Sequence, residues 1–149
     1  MKPIRNSVKA IIRRGDSVLL IREKDSSGDY TIFPGGGQDK FETMESTLQR
    51  ECHEEIAASV IVDDLVLVRE YIGSNHEFAD TEPDVHQVEF YFSCRLVPGA
   101  VPGNGSNIDD GQVSVDWVPI ADFGRIRVYP RALGSEFFSP TKRYFGDIN

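Results

Sequence analysis

Two cysteines, three histidines, no surplus of basic residues and no long apolar run mark this 149-residue sequence. Cys52 and Cys94 stand outside any CxxC or CxxH spacing. They read as buried free thiols in a reducing compartment, with one structural disulfide as the alternative, so a disulfide-dense scaffold is excluded. Three histidines without HxxxH or HExxH spacing argue against zinc. No GxSxG or Cys/His pairing suggests nucleophilic catalysis. The opening MKPIRNSVKAIIRRGD has only a short apolar run, broken by Arg13, and no small-residue cleavage site. No run approaches transmembrane length. The expectation is a cytoplasmic protein with no membrane partner. Its net charge of −8 disfavours stable binding to nucleic acid, which is itself anionic. A small anionic substrate stays open if metal ions mediate the contact.

What is present fits one ordinary domain, residues 1–149, with 40% hydrophobic and 27% charged residues. No repeat, low-complexity tract or interdomain linker interrupts it. SVKAIIRR and SVLLIREK around Gly15-Asp16 predict a β-hairpin. YTIFP reads as a short strand stopped by Pro34, and Gly35 to Gly37 as a loop. A helix is expected from about Thr43 to Ala57. SVIVDDLVLVREYIG is strand material with a bend at Asp63-Asp64. SNHEFADTEPD and PGAVPGNGSNIDDGQ read as loops on either side of a strong strand, VHQVEFYFSCRLV. VSVDWVPI is a late strand, and YPRALGSEFF predicts a short C-terminal helix with Pro130 in its first turn. Strands on both sides of one long helix suggest a mixed sheet covered by helices.

The helix carries the chemistry. Met44, Leu48, Cys52 and Ile56 recur every four residues as an apolar stripe. Glu55 falls inside that stripe, Glu51 at its edge and Glu54 one step further round. Three carboxylates thus crowd the last turns, where the helix dipole favours cations. Glu51 and Glu55 are also a like-charge i, i+4 pair. A solvated face would interleave Lys and keep acids away from this end. Hard divalent cations among the oxygens explain the pattern better, since Mg²⁺ takes carboxylate, carbonyl and water oxygens and bridges to phosphates. The three glycines allow close backbone approach and could bring a carbonyl to a metal. Arg50 could orient a neighbouring carboxylate, and Glu42 could be its partner.

These residues resemble the Nudix box, G-x5-E-x7-R-E-U-x-E-E-x-G-U, where U is a bulky aliphatic residue. Gly36 is followed by five residues and Glu42; seven more lead to Arg50-Glu51-Cys52, His53 and Glu54-Glu55. The match spans Gly36 to Ala58. Departures are Ala57 in place of the second glycine, for which a shifted helix cap is expected, and small residues, Cys52 and Ala58, at the U positions. The resemblance implies a MutT-like hydrolase cleaving a nucleoside diphosphate linked to another group, in an α/β/α sandwich with a mixed β-sheet. It implies dependence on Mg²⁺ or Mn²⁺. Glu51, Glu54, Glu55 and the Gly36 carbonyl would be metal ligands, and Arg50 would orient the carboxylates. Glu54 and Glu55, with Arg50, are the catalytic candidates, Glu54 being the candidate base. A nucleoside triphosphate is the favoured substrate; ADP-ribose or sugar nucleotides, and a silent nucleotide-binding regulator, are the alternatives. A homodimer is a candidate assembly.

Further candidates lie outside the box. Asp109 and Asp110 could add a ligand, but Asp favours turns. Asp80, Glu82 and Asp84 are equal candidates in the earlier loop. Tyr30, Phe33, Phe78, Tyr129 and Phe137 could stack on a base, with core packing the commoner fate of such residues. Trp117 reads as a packing residue and His53 as exposed helix surface.

Overall fold

The computed structural model describes residues 1–149. Nine strands and one α-helix follow in the order β1 (Arg5–Arg14), β2 (Ser17–Asp25), β3 (Gly28–Ile32), β4 (Gly35–Gly37), α1 (Met44–Ile56), β5 (Val60–Ile72), β6 (His86–Leu96), β7 (Gln112–Pro119), β8 (Val128–Tyr129) and β9 (Tyr144–Asp147). The strand order is β8-β3-β2-β1-β6-β5-β9, with β4 also on β1 and β7 also on β2. Both parallel and antiparallel pairs occur, so the sheet is mixed. β1 and β2 pair only beside their turn, at Arg13↔Val18 and Arg14↔Ser17. Beyond that point they part, and the two halves of the sheet splay around a cleft.

Alternation along β1 builds the two cores. Val8, Ala10 and Ile12 point to the helix side and meet Leu48, Cys52 and Ile56 of α1. Ile11 points the other way and joins Phe33, Leu67, Tyr91 and Phe137. The period of 2 in the strand and of 3.6 in the helix are both legible in the residues that pack. Cys52 and Cys94 are buried free thiols. The bend at Asp63-Asp64 is a register shift between Val62 and Leu65. There the Asp64 amide donates to the Ser93 hydroxyl instead of to the ladder.

Two expectations need correction. The glycines form strand β4, not a loop, because a backbone without Cβ can lie flat on β1 at Ser7, Val8 and Lys9. The C-terminal helix is absent. Between Tyr129 and strand β9 the chain forms turns and one 3-10 helix, Gly134–Phe137. Gly134 takes a φ of +48°, which breaks an α-helix after Leu133. Leu133 and Phe137 are both buried, so their i, i+4 spacing marks two core anchors. The layer opposite α1 is therefore made of turns and 3-10 structure. No helix is long and apolar enough to cross a membrane.

Candidate active site

The site is assembled at the join between β4 and α1. Thr43 caps the helix, its hydroxyl accepting from the Ser46 amide at 3.0 Å. At the other end Ala57 takes a left-handed φ of +53°. The cap is thus not shifted: Ala57 itself adopts the conformation that glycine would adopt without cost.

The last carbonyls of α1 are satisfied by a loop read only as Gly- and Asn-rich. The amides of Gly103, Gly105 and Asn107 donate to the carbonyls of Ile56, Glu55 and Glu54 at 2.9, 3.0 and 3.1 Å. The buried Gln112 side chain adds a fourth bond, Nε2 to the Glu55 carbonyl at 2.9 Å. The helix end that bears the acids is held from outside. Sequence reasoning did not find Gln112; its one signal is a polar residue opening a β-run. Asp109 and Asp110 are exposed in the same loop, with the Asp109 carbonyl accepting from the Gln112 amide in a turn.

Arg50 is the organising cation. Its Nε meets Glu42 Oε1 at 2.7 Å and its Nη2 meets Glu42 Oε2 at 2.9 Å, a bidentate pair. Nη1 reaches Glu51 Oε1 at 3.1 Å and Glu54 Oε2 at 3.5 Å, while Nη2 also donates to the Gly37 carbonyl at 3.2 Å. Glu42 in turn accepts from Thr47 Oγ1 and from the Asp39 amide. Its carboxyl is held well down, at about 2, chiefly by the hydrogen-bonded Arg50.

Glu55 is buried, 5% exposed, and accepts from the Gly35 amide at 3.3 Å. Burial pushes its pKa up to about 8; Lys9 pulls the other way and the neighbouring Glu51 adds to the rise. Glu51 lies directly beneath β4: a methyl on Gly36 would sit 2.5 Å from its carboxylate. Only glycine leaves that space open. Four expected residues, Gly36, Glu51, Glu54 and Glu55, therefore meet around Arg50 and β4. The donor set is three carboxylates and a carbonyl-bearing glycine, which suits a hard divalent cation. The side chains do not close on one point as a complete cage. Mg²⁺ ordinarily completes its shell with water and substrate oxygens, so an open set is the form its chemistry uses.

Beside the box, the splayed sheet halves enclose a cleft of about 670 Å³. Tyr30, Phe78 and Tyr129 meet there, with ring centroids 5.8 and 5.6 Å from Tyr129 to the other two. The Arg127 guanidinium lies 5.3 and 5.6 Å from the Tyr30 and Tyr129 rings and pairs with Asp25. Three of the five aromatic candidates thus line one cavity. The other two, Phe33 and Phe137, stack in the core at 4.3 Å. Glu82 also lines this cleft and accepts from the Tyr71 hydroxyl, whereas Asp80 and Asp84 are exposed. His53 is exposed, and Trp117 packs on the helix-side core under Arg14.

Comparison with known proteins agrees with this geometry. The NUDIX domain family model matches residues 3–135. A NUDIX hydrolase from Nitrosomonas europaea superposes with a TM-score of 0.71 at 21% identity, over 95% of this chain and 93% of that one. A MutT NUDIX hydrolase from Burkholderia pseudomallei gives 0.71 at 21%, over 92% and 99%. An ADP-ribose pyrophosphatase from Streptococcus suis gives 0.61 at 18%, over 99% and 100%. A sequence search of curated proteins gives no significant match. The chain belongs to the Nudix family, a class of pyrophosphohydrolases.

Proposed function

We propose that the protein hydrolyses a pyrophosphate link in a nucleoside triphosphate or related nucleotide, with Mg²⁺ or Mn²⁺ held by Glu51, Glu54, Glu55 and the Gly36 carbonyl. The observation that carries this reading is the single guanidinium of Arg50, which ties Glu42, Glu51, Glu54 and the Gly37 carbonyl together. Such a bound cation would neutralise phosphate oxygens and lower the pKa of a bound water. Arg50 fixes two acids at the rotamers they need, so little reorganisation is left for the reaction. Buried Glu55 is anchored to the Gly35 amide and cannot swing away. Glu54 is only partly buried, and its partner Arg50 is 3.5 Å away. It is the carboxylate free to take the proton of the attacking water. The water oxygen bonds to phosphorus, the bridging P–O bond breaks, and the leaving phosphate carries off the bond's electrons. The aromatic cleft offers Tyr30, Phe78 and Tyr129 to a nucleobase.

The test is incubation with Mg²⁺ and a panel of nucleoside triphosphates, ADP-ribose, sugar nucleotides and dinucleoside polyphosphates, with products resolved by chromatography. Cleavage of at least one compound, lost in a folded Glu55→Gln variant, is the expected result. Metal-dependent retention without cleavage would replace this reading by a nucleotide-binding regulator.

A further inference from the structure

A second cleft, of about 570 Å³, opens at the far end of β1 from the box. The box glycines lie on β1 at Ser7, Val8 and Lys9, whereas this cleft begins further along the strand, at Ile11 and Arg13. Ile11 belongs to the core on the side away from α1. The cleft shares no lining residue with the cleft of Tyr30, Phe78 and Tyr129.

The irregular stretch of β5 shapes one wall. The register of β5 on β6 shifts between Val62 and Leu65 and again between Leu65 and Leu67. There Arg143 is anchored twice: its Nη1 donates to the Leu65 carbonyl at 2.6 Å, and its own carbonyl accepts from the Val68 amide at 2.7 Å. The preceding turn is tied by Thr141, whose amide and hydroxyl donate to Glu136 at 2.6 and 2.8 Å. Lys142 is thereby carried to the rim. Ile11 and Phe137 are buried, and Leu65, Val66 and Phe138 half-buried, so the floor is apolar.

The rim is cationic. Arg13, Arg95, Lys142 and Arg143 line the cleft against two acids, Asp63 and Asp64. Arg95 is engaged by Asp63 through bonds of 2.9 and 3.0 Å. The other three cations form no ion pair, in a chain of 24 acidic and 16 basic residues. The Arg13 guanidinium lies 5.2 Å from the Phe138 ring centroid, and Lys142 Nζ 5.2 Å from that of Phe145. Aromatic faces steady both cations without neutralising them. A cleft with one dominant sign of charge over apolar walls concentrates its field on an incoming anion. Two guanidinium forks and an ammonium offer more donors than a carboxylate has oxygens. A phosphomonoester brings three acceptor oxygens and about −1.5 to −2 charge.

We propose that this cleft binds a small organic phosphomonoester. Its phosphate lies among Arg13, Lys142 and Arg143, and its organic body rests on Ile11, Leu65 and Phe138. The site is separate from the acids of α1, needs no metal and is independent of the hydrolase reading.

The test is an amide NMR titration with phenyl phosphate, inorganic phosphate or phenol in the presence of a chelator, so that the metal-free acids of α1 repel phosphate. Phenyl phosphate should shift the Asp64, Ser93 and Lys142 amides together, with a Kd of about 1 mM or tighter. Inorganic phosphate should bind about tenfold more weakly, and phenol should leave these amides unmoved. Arg13→Gln/Lys142→Gln changes only exposed side chains and should weaken phenyl phosphate about tenfold or more, while its ligand-free spectrum stays folded. Lys24→Gln/Arg131→Gln removes the same charge from exposed positions outside the cleft and should bind as wild type. Shifts confined to the cleft of Tyr30 and Phe78, equal affinity in the two double variants, or inorganic phosphate binding as tightly as phenyl phosphate would overturn the proposal.

Discussion

The Gly35 amide donates to Glu55 Oε2 at 3.3 Å, so the glycine strand reaches directly into the acid helix. That one bond joins two halves of a motif twenty residues apart, and it gives the buried carboxylate its only backbone donor. It also sets the first prediction.

Glu55 has a folded-state pKa near 8, against an ordinary 4.5. The folded state therefore binds this proton more tightly than the unfolded state. Its stabilising effect is complete in acid and is lost as pH rises from about 4.5 towards 8. Glu55→Gln keeps a neutral side chain there at every pH. In metal-free protein at about pH 9 the variant should be more stable by at least ~1 kcal/mol, each pKa unit being worth about 1.4 kcal/mol. Denaturant titrations at pH 5 and pH 9 check this: the gain should appear at the higher pH. Turnover by the same variant should fall by about 100-fold or more.

Arg50→Lys should retain charge and lose the fork. A lysine cannot grip Glu42 bidentately while also holding Glu51, Glu54 and the Gly37 carbonyl. Activity should drop by roughly 10–100-fold, with a higher Mg²⁺ concentration needed for half-maximal rate, as for groups that orient metal ligands. Steady-state kinetics across a Mg²⁺ titration reads both effects.

Ala57→Gly should stabilise the protein. The left-handed conformation costs an L-residue about 1–2 kcal/mol, and the extra unfolded-state freedom of glycine returns about 0.5–1 of that. A net gain of roughly 0.5–1 kcal/mol should raise Tm by a few degrees, visible by calorimetry.

Arg69 and Glu89 form a buried ion pair at 2.5 Å, with the Tyr91 hydroxyl also donating to Glu89 at 2.8 Å. Burial alone would raise the Glu89 pKa, but Arg69 and Lys9 outweigh it and hold it below the ordinary value. Arg69→Met strands that carboxylate and should cost about 3–5 kcal/mol. Adding Glu89→Leu should recover most of the loss. Urea unfolding of the two variants decides it.

The features legible in the sequence were those set by local periodicity. The helix bounds, its apolar stripe and the burial of Glu55 follow from residue spacing, and so does the β1–β2 hairpin. The bend at Asp63-Asp64 was legible because two adjacent acids interrupt an apolar strand. What escaped is long-range. β9 pairs with β5 across more than seventy residues, and its sequence YFGD carries no pattern of its own. The C-terminal segment misled because Leu133 and Phe137 obey helical spacing while Gly134 turns the chain. Gln112 and the amides of Gly103, Gly105 and Asn107 cap α1 from a loop whose composition shows only that it turns.

The central claim is that the acids of α1 hold a divalent cation for pyrophosphate cleavage. The most direct test is nucleotide turnover as a function of Mg²⁺ in wild type and in Glu51→Gln and Glu54→Gln, each first shown to be folded. The account predicts no turnover without metal, saturation in wild type, and losses of about 100-fold in the variants. Turnover that persists in the presence of a chelator, or variants as active as wild type, would contradict it.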